Sequence, residues 1–396
     1  MSRPLLFLIL LLSATALPAQ GCSCEAALTD LAKRLQKTPS YKAQVRSPEQ
    51  KAAFRDHIGR VRDQMTAAER PGFDCGYLLG LATTFLTDNH LRVLPPSDTF
   101  PADIPHYPGG TDALAALPAR ADDSAAGLYY RGEKPVAYLT DDGDGVYSAY
   151  LLQAGGGRAA GSLTARFHPA PAGGAYYTQY VRPEGRTQFI YERGLAEAIG
   201  RFKMTRTPGE AEPWRATGTE AVAEHRSLAD NAYYLYLPSF RSLGSNNPVA
   251  QLNALYAGIL PDLPRNGHLI IDLRGNGGGG TRAYRELLAG LAERDDVRLH
   301  LITNRNTASA AELFVTEMKA RGARHYGEPT NGTYHYGYGN RAQSVTPLCN
   351  GAVPYLTTRS ELGKRDQRLA TERSGIPADV PLTSADWIGE VVKQLR

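Results

Sequence analysis

The stretch His268-Leu-Ile-Ile-Asp-Leu-Arg-Gly-Asn-Gly-Gly-Gly-Gly280 decides the fold. An apolar run from Leu269 to Leu273 ends in glycines, and Leu287, Leu288 and Leu291 follow at helical spacing. That is a buried strand feeding a helix. The unit repeats, with a strand expected over 297–303 and a helix over about 309–321. Strands alternating with helices predict parallel pairing through right-handed crossovers. No Gly-Lys-Ser/Thr follows the strand, and the glycines run together instead of being spaced by other residues, so a nucleotide cradle is not expected. The glycines instead free backbone N–H groups to converge on one point, where they can hold a carbonyl oxygen as it becomes an oxyanion. Ser309, in Thr307-Ala-Ser-Ala-Ala-Glu-Leu-Phe314, opens the second helix at the mouth of the sheet, where α/β folds place ligands. It has two readings: a plain helix cap, or a nucleophile favoured by the helix dipole.

Outward from that stretch, the chain of 396 residues is long enough for more than one domain. Its charge, 44 Lys and Arg against 40 Asp and Glu, is spread without basic blocks, so nucleic-acid binding is not expected. At the N-terminus, Arg3, the apolar run Leu5 to Leu12 and Leu17-Pro-Ala19 read as a signal peptide over 1–19. Export to the periplasm or the cell exterior follows. The apolar run is too short for a membrane span. Ala19-Gln20-Gly21 lacks the usual leucine of a lipobox, so ordinary cleavage is the first reading and a lipid anchor on Cys22 the alternative. The cysteines Cys22, Cys24, Cys75 and Cys349 can form disulfides after export, with Cys24–Cys75 the preferred pair. No histidine stands at zinc spacing from Cys22-x-Cys24, and no metal or organic cofactor is expected.

Residues 20–96 read as a helical domain. Leu28, Leu31, Ala32 and Leu35 make one stripe, and Ser47-Pro48-Glu49-Gln50 is a helix start with a capping box. A further helix, expected from near Asp74, runs into Leu86-Thr-Asp-Asn-His90 and is stopped by Pro95-Pro96. His90 is either a satisfied structural histidine or a base presented to a cleft. Over 97–230 a Pro- and Ala-rich connection gives way to Tyr-, Val- and Thr-rich runs, which predict an antiparallel sheet or small barrel. Asp141-Asp-Gly-Asp-Gly145 reads as a hairpin turn, since the later glutamate of a calcium loop is missing. No glycine-rich loop of a PDZ module is recognisable. Residues 231–396 form the core, with Tyr233 to Phe240 as a strand, a helix over about 247–259, strands within Val345 to Thr358 and a C-terminal helix to Leu395.

Taken in order, Asp-Leu-Arg-Gly-Asn-Gly-Gly, Ala-Ser-Ala-Ala-Glu and Gly327-Glu-Pro-Thr-Asn-Gly332 resemble the C-terminal processing and tricorn-core serine peptidases. The resemblance is specific over 233–333 and weaker through Gly375-Ile-Pro-Ala-Asp379 to the end. It implies a crotonase-like ββα spiral and a peptidase acting on peptides or proteins, with Ser309 as nucleophile. Its oxyanion donors fall on Gly277, Gly278 and Ala310. The lysine of the C-terminal processing branch is replaced by Thr333, so the resemblance points to the tricorn-like branch, whose base lies in a Leu-x-Asp-x-His segment. Leu86 to His90 matches, making His90 the base, with His335 as rival. Glu372, before a tail whose proline is one place early, is the matching assisting glutamate. Tyr334, Tyr336 and Tyr338 are expected along the peptide groove. The alternative is a non-catalytic peptide- or lipid-binding protein on the same fold, as in the retinoid-binding relatives of that family.

Overall fold

The computed structural model describes residues 22–66, 71–94, 104–118, 124–155, 157–170, 176–181, 187–192, 195, 198–199, 204–209, 223–228, 231–241, 248–338, 346–360, 371–384 and 386–395. The signal segment 1–19 and Pro95-Pro96 lie outside these residues.

The chain is α/β. Its central sheet runs in the order Glu224–Leu228, Ala232–Tyr236, His268–Asp272, Arg298–Thr303, Arg324–Gly327, Val380–Pro381. The first pair is antiparallel and the others are parallel. Because strand side chains alternate, Leu269 and Ile271 face one side of the sheet and Ile270 the other. The first side packs against Tyr256, Leu287, Leu291, Phe314 and Met318, from the helices Pro248–Ile259, Arg285–Ala292 and Ala310–Ala320. The second is covered by Trp387 and Val391 of the helix Trp387–Lys393, which Asp386 caps. Burying both faces explains why His268–Asp272 reads as a continuous apolar run and not as an alternation. Each fully buried leucine or isoleucine contributes about 1.5–3 kcal/mol.

The N-terminal helices are Cys24–Leu35, Pro39–Gln44, Pro48–Thr66 and Pro71–Thr83. The last starts at Pro71 and not near Asp74, consistent with the fixed φ of proline at a first helical turn. The expected capping box is present, with Gln50 N–H on Ser47 Oγ and Ser47 N–H on Gln50 Oε1. Leu28, Leu31, Phe54, Ile58 and Leu79 share one apolar cluster with Leu348 and Ala352 of the core, so the helices are packed onto it. The strand Arg92–Leu94 pairs antiparallel with Val353–Tyr355. Within Val345 to Thr358, Val353–Tyr355 is the strand seen among the described residues.

Two disulfides reinforce this contact. Cys24–Cys75 is formed as expected, and Cys22–Cys349 ties the first helix to the core. With the Cys22 sulfur bonded to Cys349, this arrangement favours ordinary cleavage over a lipid on Cys22. No helix among the described residues is long and apolar enough to cross a membrane.

The middle region is an eight-stranded antiparallel sheet. Its Lys134–Gly143 and Val146–Leu151 strands meet in a hairpin turn at Asp144 and Gly145, both left-handed. One edge reaches the helices, where Tyr177 donates from its hydroxyl to the Thr84 carbonyl at 2.9 Å.

Candidate active site

The glycine loop after His268–Asp272 is held from below. Asp272 and Arg274 form a buried ion pair at 2.6 Å, and the guanidinium lies over the Trp387 ring. Asn276, fully buried, donates to the Leu237 carbonyl and accepts from the Gly278 N–H at 2.9 Å. The Ala308 N–H closes onto the Asn276 carbonyl at 2.9 Å, which brings the loop before the Ala310–Ala320 helix against the glycines. Gly278 must be glycine here. Its φ is +85°, and a Cβ on it would stand 2.7 Å from Ser309 Cβ and 2.8 Å from Ala310 N.

Ser309 is the N-cap of that helix and has φ 57° and ψ −121°. A side-chain-bearing residue in this conformation is strained by about 1–3 kcal/mol and persists only where its surroundings impose it. Glu312 is what imposes it. Fully buried, it accepts from the N–H groups of Ser309 (2.8 Å), Thr333 (2.8 Å) and Gly332 (2.7 Å) and from the Thr330 hydroxyl (2.6 Å). Burial pushes its carboxyl upward and these donors pull it back, leaving it above the usual carboxylate range. With its backbone fixed, Ser309 Oγ meets His90 Nε2 at 3.1 Å.

His90 reaches this point on a turn held by distant residues. Gln44 exchanges hydrogen bonds with the Thr87 backbone, and Arg373 donates to the Thr84 and Leu86 carbonyls. Asp88 accepts from the His90 N–H (3.1 Å) and the Thr357 hydroxyl (2.7 Å). Glu372 accepts from the N–H groups of Asn89 (2.9 Å), Tyr334 (3.2 Å) and His335 (3.0 Å). The Tyr338 hydroxyl donates to the His90 carbonyl, and its ring stands edge-on to the imidazole. One His90 ring nitrogen and one oxygen each of Asp88 and Glu372 lie within 4.8 Å of one another. Burial, with Arg92 adding to it, lowers His90 to about 4, so the ring is neutral at neutral pH. Burial and the Asp88 charge raise Glu372 to about 8.

The structure thus brings Ser309, His90, Gly277 and Ala310 together, with Glu372 behind the histidine turn and not against the serine. Gly278 requires a correction: its N–H is taken by Asn276 Oδ1, so it supplies close approach and not an oxyanion donor. No hydrogen bond among the described residues engages the N–H of Gly277, Gly279 or Ala310. Gly279 therefore joins the candidates. His335, the rival base, has Nε2 3.3 Å from Thr371 Oγ1 and lines neither space beside Ser309. Tyr334 and Tyr336, both nearly fully buried, line a small pocket of ≈ 100 Å³ with Tyr338 and Leu313. A larger cleft of ≈ 370 Å³ is also lined by Ser309 and His90. Asp88, Asn276 and Glu312 were not singled out from the sequence, although Asp88 stands inside the Leu-x-Asp-x-His segment and Glu312 at the capping-box position after Ser309.

No family model and no curated protein matches the chain. Among solved structures it is similar to a lipoprotein from Streptococcus agalactiae, with 13% identity and a TM-score of 0.40, covering 97% of this chain and 99% of that one. It is similar to a photosystem II D1 C-terminal processing protease, at 15% and 0.40, covering 94% and 97%. It is also similar to the tricorn protease, at 15% and 0.38, covering 91% of this chain and 34% of that one. Likenesses this distant carry no weight for the site, which stands on its own geometry.

Proposed function

We propose that the chain is an exported serine peptidase of the tricorn-like, lysine-less kind, its 231–396 core the crotonase-like ββα spiral. Ser309 Oγ attacks a peptide carbonyl while His90 Nε2 takes its proton and later delivers it to the leaving amine. The N–H groups of Gly277 and Ala310, with Gly279 beside them, receive the oxyanion. Glu372 and Asp88 act on the turn that carries His90. Domains are read as the helical unit 20–96 that supplies the base, the β-rich region 97–230 and the core, behind a signal peptide over 1–19. The disulfides favour an oxidising compartment.

One observation carries the reading: a neutral imidazole nitrogen stands 3.1 Å from a strained serine hydroxyl across 219 residues of sequence. The peptidase reading requires that contact, whereas the binding-protein reading does not call for it. The test is hydrolysis of a quenched-fluorescent peptide library by purified protein. Cleavage that Ser309→Ala removes supports the reading, and equal cleavage by both proteins sinks it.

A further inference from the structure

We propose that a zinc-like divalent cation binds between Asp88, His90 Nδ1 and Glu372 and switches off the histidine as a base; that this stops a peptidase rests on the reading above, whereas the binding does not. Among the described residues, Asp88, His90 and Glu372 bring three metal-ligating groups together, with one ligand atom of each within 4.8 Å of the others. His90 Nε2 is engaged with Ser309 Oγ at 3.1 Å. The other ring nitrogen, Nδ1, is buried and has no hydrogen-bond partner. A buried polar atom left without a partner is costly, and coordination to a cation satisfies an imidazole lone pair.

The two carboxyls lack only the positive charge. Asp88 is 4% exposed and Glu372 3%, and neither forms an ion pair among the described residues. Two carboxylates buried side by side repel one another, and a divalent cation between them removes that repulsion. Their oxygens are already oriented from the protein side. Asp88 accepts from the His90 N–H and the Thr357 hydroxyl, and Glu372 Oε1 accepts from the Asn89 N–H at 2.9 Å. An oxygen that takes one donor keeps a second lone pair for a metal, and such donors are what aim carboxylate ligands. Tetrahedral zinc, at bonds of about 2.0–2.2 Å, holds its ligands roughly 3.3–3.6 Å apart, so the group closes by about 1.5 Å at most through side-chain rotation. Asp88 and His90 line the larger cleft, which gives the ion a way in and a water for the fourth position. One imidazole with two carboxylates suits Zn2+, whereas Mg2+ favours an octahedron of oxygens.

The consequence follows from the imidazole itself. With the Nδ1 lone pair on the metal, the neutral ring carries its one proton on Nε2. Nε2 then donates to Ser309 Oγ and cannot take its proton. A proton held by Glu372 passes to solvent as the ion enters.

Cobalt(II) is the visible probe and Zn2+ its competitor, each added to chelator-stripped protein. One equivalent of Co2+ should give the absorption band of a tetrahedral site, and Zn2+ should remove it. Glu372→Gln and Asp88→Asn, both close in shape to the original, should weaken binding by at least about tenfold, while His225→Gln, at an exposed histidine, should not. Nitrogen-15 NMR of the unaltered protein, which needs neither a variant nor a substrate, should show His90 Nδ1 shifted by Zn2+ with the proton on Nε2. In the hydrolysis assay Zn2+ should stop cleavage, chelator should restore it, and Mg2+ should leave it unchanged. No Co2+ band, binding that survives both carboxyl variants, an Nδ1 signal that ignores Zn2+, or cleavage that continues with the site filled overturns the proposal. A protein that cleaves nothing under any condition sinks the peptidase reading instead, and the absorption and NMR results still decide the metal site.

Discussion

The serine half and the histidine half of the site are each built on one buried glutamate, but they are assembled in different ways. Glu312 gathers its donors from its own helix start and from the adjoining loop, at sequence separations of 3, 18, 20 and 21. Glu372 holds the histidine turn across 283 residues, and Thr357 reaches Asp88 across 269. The first half is a local motif folded onto a buried parallel sheet. The second exists only when the helical unit docks, through the Arg92–Leu94 strand, the Leu348 and Ala352 contacts and the Cys22–Cys349 bond. A nucleophile can thus be set by neighbours in sequence while its base depends on packing between distant parts of the chain.

Removing the carboxylate of the serine half has the largest expected effect. Glu312→Ala leaves buried N–H groups of Ser309, Gly332 and Thr333 without an acceptor and should cost about 3–5 kcal/mol, together with all activity. Urea unfolding measures this, and a variant as stable as wild type would break the comparison at its stronger side. Next comes Gly278→Ala, whose added methyl meets Ser309 Cβ at 2.7 Å and Ala310 N at 2.8 Å. We expect kcat/KM to fall by about 100-fold or more, with most of the fold retained, as read by circular dichroism beside the hydrolysis assay.

The histidine half should respond to pH. Glu372 is raised to about 8 from the usual 4.5 by burial and by Asp88. The folded chain therefore holds this proton where the unfolded chain has lost it, and stability falls as pH rises from about 4.5 to about 8. Glu372→Gln removes that loss. Its melting temperature relative to wild type should climb between pH 5 and 8.5, by the equivalent of roughly 3 kcal/mol, against a constant offset for the amide. The buried neutral histidines His90, His168, His300 and His325, all lowered, contribute the opposite slope as pH falls below 6.5. They are shared by both proteins and cancel in the difference. A flat difference would place Glu372 in the charged state at neutral pH. The smallest effect belongs to His335→Gln, which touches neither space beside Ser309 and should lower kcat/KM by less than about tenfold, against ~100-fold or more for His90→Ala.

The local half was the legible one. The apolar run Leu269 to Leu273, the glycines after it and the helix start at Ser309 announce themselves within a few residues, because burial on both sheet faces and helix capping leave short-range patterns. The sequence also offered His90 as a candidate, as one of two readings of its polar turn and then through the Leu-x-Asp-x-His segment. Glu312 and Asp88 went unread for a physical reason: a glutamate in a first helical turn and an aspartate in a polar turn look like ordinary capping and surface residues until the tertiary fold buries them. Gly278 was misread because Asn276, two residues earlier, folds back on its N–H, and an Asx turn and a free donor share the same glycine-rich spelling. The pairing of Cys22 with Cys349 had no local signal at all.

The most direct test of whether the helical unit supplies the base is covalent labelling with a fluorophosphonate, timed and then located by peptide mass spectrometry. The adduct should form on Ser309 in the wild-type protein, disappear in Ser309→Ala, and form about 100-fold or more slowly in His90→Ala. An adduct on another residue, or an unchanged labelling rate in His90→Ala, would contradict a Ser309 nucleophile activated by His90.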